Sequence, residues 1–260
     1  MIPKIIHYCW FGGNPLPPLA KKCIESWEKH CSDWEIIEWN ETNFDVNYNT
    51  YVRQAYEAKK WAFVSDVARL WALVNHGGVY MDTDCELLKP IDEFLKHEAV
   101  SGFEPTFKIP TAMMGCREGF PLFKEILLDY DKRAFLLPNG DFDTITNVVT
   151  MTKILLIHGL VLNNRPQTVK GFTLYPSEYF CPKNYNTGKL DVSENTYIIH
   201  HYSESWADER QLHLHKKYME IRNRYGIALG NQLCKLYGAL YTVKSEGIGG
   251  AIRRLRNRKV

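Results

Sequence analysis

Ala62-Phe63-Val64-Ser65-Asp66-Val67-Ala68-Arg69-Leu70-Trp71-Ala72-Leu73-Val74-Asn75, then Gly77-Gly78, then Val79-Tyr80-Met81-Asp82-Thr83-Asp84, reads as a helix, a stop and a short strand. Phe63, Val67, Leu70, Trp71 and Val74 recur at helical spacing, and glycine is the residue that ends helices. Working outward, Lys4 to Trp10 is β-branched and aromatic and runs into Gly12-Gly13, a strand followed by a turn. Leu19 to His30 is helical behind Pro18, Trp34 to Trp39 is a second strand, and Tyr51 to Lys60 is a polar helix. Strand, helix, strand, helix, strand within ninety residues predicts an α/β protein with a mostly parallel central sheet. Beyond it, helices are expected at Phe120–Tyr130, Thr146–His158, Leu212–Tyr225 and Asn231–Val243, and a strand at Tyr197–Tyr202.

The chain has 260 residues, 45% hydrophobic and 24% charged, which excludes disorder and collagen-like or linker-dominated sequence. No apolar run reaches the roughly 18 residues of a membrane span, and the first residues lack the pattern of a signal peptide. Seven cysteines without repeated spacing point to reduced thiols and a cytoplasmic protein; Cys23 and Cys31 are too far apart for a zinc pair. The net charge of +2 is unevenly spread. The last ten residues carry Arg253, Arg254, Arg256, Arg258 and Lys259, leaving 27 basic against 30 acidic residues elsewhere, a body ill suited to nucleic acid.

Asp82 and Asp84 follow a short apolar strand at the carboxyl edge of a sheet, where open α/β folds bind ligands. At i and i+2 of an extended segment their carboxylates point the same way and can converge on a hard cation, Mg²⁺ or Mn²⁺. Without the cation they repel, so losing one is expected to spare the fold. Asp66 and Arg69, at i and i+3, share a helix face, as a salt bridge or as a pair that meets a polyhydroxylated ligand. His200 and His201 are neighbours on a strand, so only one can enter a site.

Ser65-Asp66, Arg69, Gly77-Gly78, Tyr80 and Asp82-Thr83-Asp84 together resemble the sugar-binding region of glycosyltransferase family thirty-two, the DXD transferases that include bacterial enzymes of capsular polysaccharide synthesis. Ile2 to Gly12 resembles that family's first strand, and Tyr197-Ile198-Ile199-His200 with Ser205-Trp206 its closing motif. The resemblance implies a GT-A fold: one Rossmann-like nucleotide-binding domain over residues 1–210, followed by a helical extension with a basic tail over 211–260. It implies a retaining hexosyltransferase using a nucleotide sugar, a UDP-sugar by family frequency, and Mn²⁺ or Mg²⁺. By position, Asp84, Asp82 and His200 are the implied metal ligands, and Asp66 and Arg69 the pair on the donor sugar's hydroxyls. Asp66, Arg69, Asp82 and Asp84 make up the implied catalytic set. Tyr8 and Trp10 are assigned to the donor, Trp10 at the base, and Ser205 and Trp206 to the β-phosphate.

No carboxylate identifies itself as a nucleophile, which favours same-face transfer, with the departing phosphate activating the acceptor. Thr144 to Val148 departs from the family pattern, and Asn147 is expected to cap the helix that follows. The acceptor is expected to be a glycan or lipid-linked saccharide, and the basic C-terminus to dock on an anionic membrane surface at the inner face of the cell membrane. A metal-dependent phosphohydrolase with Asp82 as nucleophile, and a non-catalytic sugar-binding module, are the competing readings.

Overall fold

The computed structural model describes residues 1–106, 108–204 and 207–257. Contacts divide it into two compact units, Met1–Asn184 with Leu190–Trp206, and Tyr185–Lys189 with Ala207–Val260.

The first unit opens β1 (Ile5–Cys9), α1 (Pro18–His30), β2 (Glu35–Trp39), α2 (Thr50–Glu57), α3 (Trp61–His76), β3 (Gly78–Met81). It continues with β4 (Cys85–Leu87), β5 (Ala99–Gly102), β6 (Met113–Cys116), α4 (Pro121–Tyr130), α5 (Asn147–Ile157), β7 (Gln167–Val169), β8 (Phe172–Tyr175), α6 (Ser177–Phe180) and β9 (Ile198–His200). Seven strands form one sheet in the order β2-β1-β3-β6-β5-β8-β7. All but β6 and β7 run in one direction, so the α/β architecture with a mostly parallel sheet is the one observed. β4 and β9 pair antiparallel as a separate two-stranded ribbon.

Alternation along the strands feeds two apolar layers. Ile6, Tyr8, Val79, Met81 and Val100 enter one cluster with Cys23 and Trp27 of α1. Cys9, Tyr80, Ala99, Met114 and Cys116 enter the other with Val67, Leu70 and Leu73 of α3. A sheet covered on both faces explains why its strands are apolar runs rather than alternating ones. The helices expected from the sequence are present within a few residues, with three exceptions at their ends. α2 stops at Glu57 because Lys59 turns left-handed (φ 55°). The closing strand is three residues long because Tyr202 does the same (φ 54°). The last helix starts at Ile227 and is broken at Gly247 (φ 73°), with a second helical stretch beyond it to Asn257. All seven cysteines are free.

The second unit is a helical hairpin of α7 (Glu209–Tyr225) and α8 (Ile227–Asn257), turned at Gly226 (φ 77°). Asp208 and Gln211 form a reciprocal capping box at the start of α7. No helix among the described residues is long and apolar enough to cross a membrane.

The stop after α3 is a structural requirement. Gly77 donates its N–H to the Leu73 carbonyl at 3.0 Å in a left-handed conformation (φ 64°). At Gly78 (φ 95°) a Cβ would lie 2.7 Å from the Ile5 carbonyl oxygen and 2.9 Å from His7 Nε2. Gly78→Ala should therefore destabilise the protein by more than about 2 kcal/mol, measured by denaturant unfolding.

His7 is fully buried beside it: Nε2 donates to the Gly77 carbonyl at 2.7 Å, and Nδ1 accepts from Trp39 Nε1 at 3.1 Å. Both ring nitrogens are committed in the neutral form, and burial pushes the imidazole down to about 4. A histidine whose folded value lies below its unfolded one stabilises fully above about 6.5 and loses that contribution as pH falls toward 4. Gln preserves one donor and one acceptor but does not titrate. The melting-temperature advantage of the native chain over His7→Gln should shrink across that window, by up to about 3 kcal/mol in stability.

Candidate functional site

α3 carries Asp66 and Arg69 toward the carboxyl end of β3, and both are buried. The Arg69 guanidinium lies 3.5 Å from Asp66 Oδ1 and 3.3 Å from Asp82 Oδ1. Nη1 donates to the carbonyl and hydroxyl of Thr111 at 2.8 and 3.2 Å, and Nε to the Ser65 carbonyl at 3.2 Å. Its plane sits 4.5 Å over the Tyr80 ring, whose hydroxyl donates to Asp82 Oδ1 at 2.9 Å. Of the two readings of the i, i+3 pair, the exposed salt bridge is excluded: this is a buried cation with two carboxylates. Burial works against the Arg69 charge, but Asp82, Tyr80 and Asp66 hold it firmly protonated.

Asp66 has a second set of partners. Its Oδ2 accepts the backbone N–H of Asn147, the first residue of α5, at 3.2 Å. Asn147 Nδ2 donates to the Asp66 carbonyl at 2.6 Å, and its Oδ1 accepts from Tyr130 Oη at 2.6 Å. Asn147 therefore does not cap α5, as expected from its type: Thr146 is the cap residue, and the fully buried Asn147 amide ties α5 to α3 and α4. Burial raises the Asp66 carboxyl to about 6, against the pull of Arg69 and the Asn147 amide.

The second half of the site is built on the β4–β9 ribbon. Asp84 Oδ1 lies 3.4 Å from His200 Nε2, and Oδ2 accepts the Ser203 N–H at 2.7 Å. Burial opposes the Asp84 charge, yet His200 and Ser203 keep its carboxyl well below the usual range, and Asp84 in turn raises His200. The neighbouring His201 turns away to Glu86 Oε2 at 2.8 Å, where Lys22 joins it. Strand alternation thus separates the two histidines, and His200 is the one that faces Asp84. Tyr202 and Glu204, on either side of Ser203, are both left-handed (φ 54° and 50°), a strained backbone of the kind found at functional sites.

Asp82 and Asp84 have separate sets of partners. The Cys85 N–H bonds the Asp82 carbonyl at 2.9 Å, so residues 82–85 form a turn instead of an extended segment. Asp82 faces Arg69 and Tyr80. Among the described residues, the group whose atoms can hold one ion is Asp84, Cys85 and His200, all within 4.8 Å of one another. A carboxylate, an imidazole and a thiol fit a divalent transition ion such as Mn²⁺ better than Mg²⁺, which prefers oxygens alone.

Of the donor-side residues, Tyr8 is buried against Trp27 and donates to Glu38 Oε2 at 2.6 Å. Trp10 is half-buried, with Nε1 on the Asn14 carbonyl at 2.6 Å. Ser205 and Trp206 lie outside the described residues. Thr111, Tyr130, Cys85 and Ser203 were not singled out by the sequence: Thr111, Tyr130 and Ser203 arrive from other elements with no spacing that links them to the motif, and Cys85, next to Asp84, is ordinary by type.

Residues 17–101 match the model of the glycosyltransferase sugar-binding region containing DXD motif. This stretch is similar to a DXD-type glycosyltransferase region. Over 231 residues it is 27% identical to an uncharacterised glycosyltransferase of Acanthamoeba polyphaga mimivirus, covering 82% of this chain and 86% of that one. Over 105 residues it is 30% identical to inositol phosphoceramide mannosyltransferase 1 of Schizosaccharomyces pombe, covering 36% of this chain and 31% of the yeast protein. Against that enzyme's paralogue, mannosyltransferase 3, the figures are 26% identity, 52% and 38%. Among solved structures, the PaToxG glycosyltransferase aligns with a TM-score of 0.42 at 16% identity, covering 58% of this chain and 64% of that one. A glycosyltransferase involved in glycosylation of the PBCV-1 major capsid aligns at 0.41 and 14%, covering 83% and 98%. The glycosyltransferase resemblance read from the sequence stands, and the phosphohydrolase reading does not: Asp82, its nucleophile, is held by Arg69 and Tyr80. The relatives named here are viral and fungal, not bacterial.

An acid whose folded value is raised weakens the fold once it ionises, here fully above about 6 and not at all below about 4. Asp66→Asn keeps an acceptor for the Asn147 N–H without that charge. Its melting temperature should equal or exceed that of the native chain at pH 8, and the difference should narrow through pH 5 and close near pH 4.

Proposed function

We propose that the chain is a metal-dependent, retaining glycosyltransferase of GT-A architecture and of family thirty-two, moving a hexose from a nucleotide sugar, a UDP-sugar in the first instance, to a glycan or lipid-linked acceptor. The observation that carries the reading is the buried Arg69 held between Asp66 and Asp82, one turn of chain away from the Asp84–His200 pair. Such a row offers carboxylates and a guanidinium to sugar hydroxyls at one end, and cation-holding groups for a diphosphate at the other.

Asp84 and His200 would hold the ion, which when bound neutralises charge developing on the leaving diphosphate. Arg69 fixes the orientation of both Asp66 and Asp82, so that hydroxyls of the donor sugar meet preset partners and no reorganisation is needed during transfer. Trp10, half-buried just past the end of β1, is the group for the base. Tyr8 is committed to Glu38 and supports the strand. With Asp66 and Asp82 both paired to Arg69, neither is free as a nucleophile, which supports same-face transfer.

The catalytic domain is proposed to occupy residues 1–210, with 211–260 as a helical extension whose basic end meets an anionic membrane, placing the protein in the cytoplasm on the inner face. A lipid-linked acceptor fits that position, and the names of the yeast relatives agree with it.

Release of nucleoside diphosphate from a panel of nucleotide sugars, with and without Mn²⁺, tests the reading; no release from any donor would reject it. His200→Ala should raise the Mn²⁺ concentration for half-maximal release, whereas His201→Ala should not, because its ring serves Glu86. Asp84→Ala should abolish release. It should also destabilise the metal-free protein by about 1–3 kcal/mol, since it strips a buried N–H and a histidine of their acceptor. That reverses the expectation drawn from repulsion with Asp82.

A further inference from the structure

β4 starts directly after Asp84, so Cys85 follows the carboxylate in sequence and pairs with His200 in register. The spacing of the motif draws attention to Asp82, whereas the geometry substitutes the thiol. A buried cysteine is ordinarily a small apolar filler, and Cys85 does sit in the apolar cluster with Trp27 and Val100, but its sulfur also meets polar atoms. Sγ donates to the Ala112 carbonyl at 3.4 Å, and the same carbonyl accepts the Asp82 N–H at 2.7 Å. With a carboxylate oxygen of Asp84 and a ring nitrogen of His200 within 4.8 Å, Sγ forms the third corner of a triangle of ligand atoms.

We propose that Cys85 is a third protein donor to the cation, making the centre a mixed oxygen, nitrogen and sulfur site that takes thiophilic divalent ions such as Co²⁺ and Zn²⁺ in competition with Mn²⁺. The inference rests on the reading of Asp84 and His200 as the metal-holding pair. Donors around an ion at about 2.0–2.3 Å stand about 3–4 Å apart, so small inward rotations of the three side chains close the set. On binding, the Cys85 S–H bond breaks, a sulfur–metal bond forms and the proton leaves to solvent; no electrons are exchanged. The hydrogen bond to the Ala112 carbonyl is given up at the same time. Thiolate and imidazole favour the later transition ions over Mn²⁺ and Mg²⁺. Cys181 provides an internal comparison: its Sγ lies 3.8 Å from His200 Nδ1, the ring nitrogen turned away from Asp84.

The test is Co²⁺ titration of the full chain under anaerobic conditions, read as the thiolate-to-cobalt charge-transfer band in the near ultraviolet. The band should saturate at one ion per chain and bleach when Zn²⁺ is added. Cys85→Ser should lose it and Cys181→Ser should keep it. Cys85→Ala, the milder change in a buried position, serves if the serine variant melts abnormally. Absence of the band in the native chain, or its persistence in both Cys85 variants, would overturn the proposal. Mn²⁺-stimulated diphosphate release by the native chain separates the two ideas: stimulation without the band rejects the thiol alone, and the band without stimulation rejects the transferase reading alone.

Discussion

A buried guanidinium is costly unless every face of it is answered, and in this protein the answers come from four places at once. Arg69 draws Asp66 from its own helix, Asp82 from the turn after β3, Thr111 from the segment before β6, and the ring of Tyr80 from β3 itself. The position of α3 on the sheet, the aim of the turn at residues 82–85 and the orientation of two carboxylates all follow from that one cation. Without it, two acids would be left in a half-dry edge of the sheet with no counter-charge.

Asp66 passes the constraint on. Its carboxylate receives the first N–H of α5, the favourable place for an anion on a helix, and Asn147 and Tyr130 bind α5 and α4 to the same point. The loop between those helices is held by Arg133, paired to Asp143 at 2.7 Å and lying 4.4 Å over the Tyr130 ring. The Asp66–Arg69 end of the site is therefore braced by three helices, whereas the Asp84–His200 end rests on a ribbon of two three-residue strands.

That contrast is also the boundary of what the sequence could tell. Asp66 and Arg69 were legible because one helical period places them on one face, and α3 has an unmistakable apolar stripe. His200 was separated from His201 by strand alternation. The different partners of Asp82 and Asp84 were not legible, because a turn after a strand does not share the strand's periodicity. β5, Ala-Val-Ser-Gly, and β6, Met-Met-Gly-Cys, carry almost no β-branched residues; burial on both faces makes them strands, and only their neighbours reveal it. Asn147 reads as a cap by type, but the acceptor it serves lies 81 residues earlier. Cys85 is ordinary by composition and becomes notable only through its distance to His200.

The β4–β9 ribbon also dictates when the site can exist. Glu86 and His201 stand 115 residues apart, and joining them closes a loop whose entropic cost is about 4 kcal/mol. Local helices such as α3 can form early, but this closure belongs to the late, slow part of folding. A chain emerging from the ribosome can assemble the Asp66–Arg69 pair after a third of its length. It cannot give Asp84 its histidine until some two hundred residues have been made, so the Asp84–His200 end is finished last.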